Sequence, residues 1–162
     1  MFFLAVQARA KELNVALPVA RQRYVPFNFY PLRELIPMMI EGAKHFYNAR
    51  SVREGLRVMG HGVPKALVSS TVGKVVFGSA EGVHAAAAAM AKTYTINLRP
   101  DTHAEVMSSG PNWLVVHLHN VHYLLDSHHL GVFEGVMLHS GTQGNVKVAS
   151  SDSSSGELLL TW

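Results

Sequence analysis

Histidine is the side chain with the most chemistry to offer in this sequence. Ten occur in 162 residues, and His117, His119, His122, His128, His129 and His139 crowd one stretch. A neutral imidazole is a common metal ligand. On an extended strand, residues two apart share a face, so His117 and His119 would present both rings to one ion while Leu114, Val116 and Leu118 point the other way. His122 or Asp126 would complete the set. His117, His119 and His122 are thus the candidate ligands of a metal-binding protein or metal-dependent hydrolase. Two features weigh against this. The spacing is not that of H-E-x-x-H, in which helix geometry fixes the ligands, and alternation puts Trp113 and Val115 on the imidazole face. The competing reading treats these histidines as amphipathic surface or interface residues.

Other chemistry is thinner. Serines and histidines are plentiful, but there is no G-x-S-x-G elbow and no acid placed to orient a base. The acids are too scattered to nominate a glycosidase-like pair. Gly60-His61-Gly62-Val63-Pro64-Lys65 imitates part of a phosphate-binding loop, yet it follows a predicted helix where a strand is required. The other candidate site is apolar. Phe29, Tyr30, Met38, Met39, Phe46 and Met59 would line a pocket for a small apolar ligand, drawing on residues that also build helix cores. His45 beside that stripe is a conceivable axial haem ligand, although a lone helical histidine is more often exposed or satisfied. No cofactor is specified.

These residues must be positioned by something with a core, and 48% apolar content over 162 residues is enough for a single domain spanning 1–162. Absence of cysteine excludes disulfides, Cys-based zinc sites and thiol nucleophiles. The apolar start at residues 1–6 is about half a signal-peptide core and has no basic residues before it, which predicts a cytoplasmic protein. Charged residues interrupt every candidate membrane span. Only 15% of residues are charged, low for a surface solvated alone, so a homodimer is expected. Arg50, Arg53 and Arg57 on one helix face, and Arg21 with Arg23, are not interleaved with aromatics, which argues against nucleic acid.

Periodicity supplies the elements. Residues 2–13 read as a first helix, and 18–31, with three prolines, as an extended connection. Leu32, Leu35, Ile36, Met39, Ile40, Ala43 and Phe46 form one helical stripe after Pro31. Ser51 and Glu54 have capping-box spacing, opening a helix at Val52 that should stop at Gly60 and Gly62. Pro64 should then open another, ending at Gly78. The alanine run of 83–91 predicts a packing helix. Residues 102–108 and 113–119 read as a hairpin about Gly110-Pro111-Asn112, 130–139 as a helix, and 144–149 with 157–162 as a last strand pair.

The segments RYVPFNFYPLRELIPMMIEGAKHFY, VREGLRVMGHGVPKALVSSTVGKVVFG and LGVFEGVMLHSGTQGNVKV, with a closing LLLTW, resemble a heavily duplicated, uncharacterised family of myxobacterial proteins. Members carry a longer front, which implies that Met1 is an internal or shortened start. The closing pattern, with Gly131 and Gly135 four apart on a helix between strand pairs, more distantly resembles vinyl-reductase-type domains. Those are grouped with haem nitric-oxide-binding domains and transport-tethering subunits. This resemblance implies an α+β fold, N-terminal helices packed on a C-terminal four-stranded antiparallel sheet with a crossover helix, often dimerised through helices. It also implies a binding role. The expectation is a non-enzymatic binding or signalling module, with the metal site as the alternative.

Overall fold

The computed structural model describes residues 2–18, 21, 24–25, 28, 30–98, 101–121, 123–152 and 155–162. The chain divides into two compact units, Met1–Leu56 and Arg57–Trp162. In order, the elements are helices α1 (Phe2–Glu12), α2 (Leu32–Phe46), α3 (Val52–Val68), α4 (Thr71–Phe77) and α5 (Gly82–Asn97), then strands β1 (His103–Gly110) and β2 (Trp113–His119). A π-helical turn (Leu125–His129) runs directly into α6 (Leu130–His139), followed by β3 (Asn145–Ser151) and β4 (Gly156–Thr161). Helices come first, and the four strands form one antiparallel sheet in the order β1-β2-β4-β3, with α6 as the crossover. This is the α+β arrangement the sequence predicts.

In the first unit, α1 packs on α2 and buries Val6 and Ala10, one turn apart. The predicted stripe of α2 is buried at Met39 and Ala43, joined by Met38, which the stripe did not include; each methionine contributes about 1.5–3 kcal/mol on burial. Pro37 lies inside α2 and removes one rung of its hydrogen-bond ladder. The segment before α2 is tied down by Arg21, whose guanidinium forks onto Glu34 with two bonds of 2.7 Å. The capping box before α3 forms as predicted. The Glu54 N–H donates to Ser51 Oγ at 3.3 Å, and the Ser51 N–H donates to Glu54 Oε2 at 3.0 Å.

Helix α3 corrects the sequence reading. It neither stops at Gly60 and Gly62 nor restarts at Pro64, but continues to Val68. Gly60 is there because another backbone lies against it. A Cβ at that position would sit 2.3 Å from the carbonyl oxygen of His128. The next helix, α4, begins instead after Ser70, whose Oγ accepts from the Gly73 N–H at 3.0 Å.

The core of the second unit lies between the sheet and helices α5 and α6. Along β2, fully buried Leu114, Val116 and Leu118 alternate with the partly exposed Trp113, Val115, His117 and His119. The register sets Leu114 opposite Leu160 and Val116 opposite Leu158, so the two central strands meet through their most buried side chains. Helix α5 lays its alanines on β1, where small side chains allow a close approach. Edge strands β1 and β3 each carry one extra residue, Met107 and Ala149. Such bulges bend an edge and blunt its tendency to pair with other chains.

Candidate functional site

The outer face of the β1–β2 hairpin gathers imidazoles. His103 sits directly opposite His119, and Glu105 opposite His117. The His103 and His119 rings stack at 4.0 Å with 17° between their planes, and His117 stacks on His119 at 3.9 Å and 14°. The His119 Nε2–H donates to Glu105 Oε1 at 2.9 Å. That hydrogen bond holds the Glu105 carboxyl below the ordinary carboxylate range against an opposing effect of burial, and the positive charge the neighbouring imidazoles can carry adds to it. One ligating atom each from His103, Glu105 and His119 lies within 4.8 Å of the other two.

His117 and His119 therefore share a face as the sequence predicts, and His117 stands beside this group. His122 lies outside the described residues. Asp126 is exposed in the π-turn and lines an open cleft of about 260 Å³ with Leu124, Leu125, Val148, Ser151 and Asp152. His103 and Glu105 were missed, and the bulge explains why. Counting back from the Gly110–Trp113 pair without a bulge sets Glu105 opposite the inward-facing Leu118. The extra residue Met107 shifts the register by one, so that Ala104 meets Leu118 and Glu105 meets His117.

The residues expected to line an apolar pocket are distributed as follows. Phe29 lies outside the described residues. Tyr30 is half-buried, edge-on to Tyr24 at 4.9 Å, and its Oη accepts from the Val25 N–H at 2.7 Å. Met38 and Met39 are buried, and Phe46 is half-buried with its ring over Gly42 of the preceding turn. Met59 belongs to the second unit. The described clefts involve none of these residues: one is the Asp126 cleft, and the other, about 210 Å³, is lined by His117, Ser151, Asp152, Ser155, Gly156 and Glu157. His45 is half-exposed and lies 3.9 Å from Glu41. Of the arginine clusters, Arg23 is outside the described residues, Arg50 precedes α3, and Arg57 is engaged by Glu134.

Two further arrangements escaped the sequence reading, because one depends on how α3 meets α6 and the other on how α5 meets the π-turn. In the first, Arg57 and His61, one turn apart on α3, reach Glu134 of α6. The Arg57 Nε–H and the His61 Nε2–H each donate to Glu134 Oε2 at 2.7 Å, and a second Arg57 nitrogen engages Oε1. Burial pushes the Glu134 carboxyl up, but the bonds from Arg57 and His61 more than offset this and hold it below the ordinary range. In the second, His128 and His129 are buried in the π-turn, and Tyr94 Oη and His129 Nδ1 are hydrogen-bonded at 2.7 Å. Burial, and the neighbouring His128, lower the His129 pKa well below its usual value. Burial raises the Tyr94 hydroxyl strongly, and pushes Tyr123 up to about 12. Among the described residues His129 Nε2 has no hydrogen-bond partner.

A family described as a protein of unknown function matches residues 1–162. The chain belongs to the DUF2378 family. No curated protein matches it. The fold of this DUF2378 chain is shared with H-NOX proteins. The Fe(II) unliganded H-NOX protein from K. algicida superposes with a TM-score of 0.69 at 10% identity, covering 99% of this chain and 94% of that one. An oxygen-binding H-NOX domain related to soluble guanylate cyclases gives 0.67 at 12% identity, covering 96% and 83%. A mutant of the T. tengcongensis H-NOX gives 0.66 at 13%, covering 96% and 85%.

Other matching structures concern haem distortion in H-NOX proteins, and the interior of the second unit is where a haem cradle would lie within that unit. Phe133, Met90, Leu114, Val136, Leu158 and Leu160 fill the space between its helices and sheet at 0–1% exposure. His129, whose Nε2 has no hydrogen-bond partner among the described residues, is packed by Tyr123 at 5.2 Å, His128 at 5.4 Å and Tyr94 at 5.6 Å. The interior of this unit by itself does not fit a haem.

Proposed function

We propose that the chain is a non-enzymatic ligand-binding signalling module of the cytoplasm, acting as one 162-residue domain and pairing into homodimers through its helices. The observation that carries this reading is the H-NOX fold running the whole length of the chain, with 99% of it covered by the K. algicida protein. The oxygen-binding H-NOX structure is described as related to soluble guanylate cyclases, and a shared scaffold supports a shared style of work: holding a small ligand and passing on the change. Function, however, lives in the site and not the fold. The ligand proposed here is a small apolar molecule, with Phe29, Tyr30, Met38, Met39 and Phe46 of the first unit as the side chains offered to it. A response element is also at hand. The π-turn with its buried histidines abuts Gly60 of α3, and π-turns often mark functional positions in helices.

The test uses tag-free full-length protein. Native mass spectrometry of fresh material should find a non-covalent small molecule, or a panel of fatty acids and aromatic probes should raise the melting temperature. A ligand at 100 times its Kd stabilises by about 2.7 kcal/mol. Haemin is included in the panel. Light scattering should show a dimer. A strict monomer with no bound molecule and no thermal response to any probe overturns the reading.

A further inference from the structure

We propose that His103, Glu105 and His119 form a site for a divalent transition-metal ion of the zinc class on the outer face of the β1–β2 hairpin. The site is separate from the apolar ligand role proposed above. Two imidazoles and one carboxylate are the donor set that such ions take, and three protein ligands leave a fourth position for water.

The arrangement is built by the strand pairing. His103 and His119 are opposite one another in the ladder, and Glu105 follows His103 by two residues on the same face. Their ligating atoms lie within 4.8 Å of each other, and His119 Nε2 already meets Glu105 Oε1 at 2.9 Å. A tetrahedral ion with metal–nitrogen distances of about 2.0–2.1 Å needs donors about 3.3 Å apart. Closing that gap needs side-chain rotation, for which the 51% exposed Glu105 has room while His119, 30% exposed, is held between neighbouring rings. His117, stacked on His119 at 3.9 Å, restrains its ring plane and acts as a positioning residue.

An exposed polar pair on a sheet surface contributes little stability, because water and salt screen it. Fold maintenance therefore does not account for three ligating groups gathered on one solvent-facing patch. The register-shifting bulge at Met107 brings them there.

The experiment titrates chelator-stripped, tag-free full-length protein with Zn²⁺ at pH 7.5 by calorimetry. The expected result is one ion per chain. H103Q and H119Q should each weaken binding at least ~100-fold, since losing even an outer-shell partner costs about 10–100-fold. H139Q, on α6, should leave it unchanged. Co²⁺ added to the unmodified protein should give the intense visible absorption of a four- or five-coordinate nitrogen-ligated ion. Melting curves report whether each variant is folded. If H119Q is not, H103Q and the Co²⁺ spectrum of the unmodified chain decide. Failure to bind Zn²⁺ at micromolar concentration, equal binding in H103Q, or a Co²⁺ spectrum no stronger than the aqua ion overturns the proposal.

Discussion

Gly131 of α6 lies against Arg57 of α3 so closely that a Cβ on the glycine would sit 2.0 Å from the arginine's carbonyl oxygen. The same contact extends along both helices. Gly60 would collide with His128, and Gly135 with His61, at 2.3 and 2.6 Å. These are backbone oxygens, which cannot swing aside as a side-chain tip would. The glycines thus set the distance at which Arg57 and His61 reach Glu134.

G131A and G60A are expected to force α3 and α6 apart. Overpacking against backbone should cost each variant about 2–4 kcal/mol, measured by urea unfolding. A loss under half a kcal/mol in both would mean that the joint adapts more easily than its geometry implies.

G62A is the companion substitution on the same helix, two residues from Gly60. Nothing lies within 4 Å of a Cβ built there, so only helix propensity changes. A gain of about 0.5–1 kcal/mol is expected in the same unfolding assay.

Glu134 should show its role in acid. Because its folded pKa lies below the ordinary 4.5, it contributes stability above that pH and loses it as the pH falls through the folded value. E134Q should therefore be less stable at pH 7, by about 1 kcal/mol once the half-exposed Arg57 is discounted for solvent screening. Below pH 4.5 the gap between variant and parent should narrow, as chemical unfolding at pH 7, 5 and 3.5 would reveal.

His129 governs a different window. It is neutral in the fold and its pKa is lowered below 6.5, so the unfolded chain takes up the proton first and stability falls as the pH drops below 6.5. The slope approaches about 1.4 kcal/mol per pH unit. H129Q keeps a polar partner for Tyr94 but cannot titrate, and its stability between pH 6.5 and 5.5 should lose that slope. An unchanged slope would assign the effect to another group.

Much of the fold was legible because periodicity reports burial directly. The α2 stripe, the Ser51–Glu54 box and the boundaries of β2 and α6 all stand where apolar spacing and local chemistry put them. The error in α3 comes from reading helix breakers locally. Gly60, Gly62 and Pro64 are read locally as helix breakers, but at Gly60 the absent side chain serves a neighbouring backbone 2.3 Å from the would-be Cβ. A glycine's local preference is worth about 1 kcal/mol and a proline's about 3, and tertiary packing overrides both here.

The sequence by itself placed most of the helices and strands and set His117 and His119 looking the same way, because each follows from spacing along one element, while the antiparallel sheet was implied by the family resemblance. Tertiary structure alone decided what stands beside them. Met107 displaces the β1 register by one residue and carries His103 and Glu105 to the imidazole face. The pairing of Glu134 with Arg57, 77 positions away, rests likewise on two helices meeting through glycine. Register and helix approach are set by contacts between distant parts of the chain, and periodicity within one element carries no information about them.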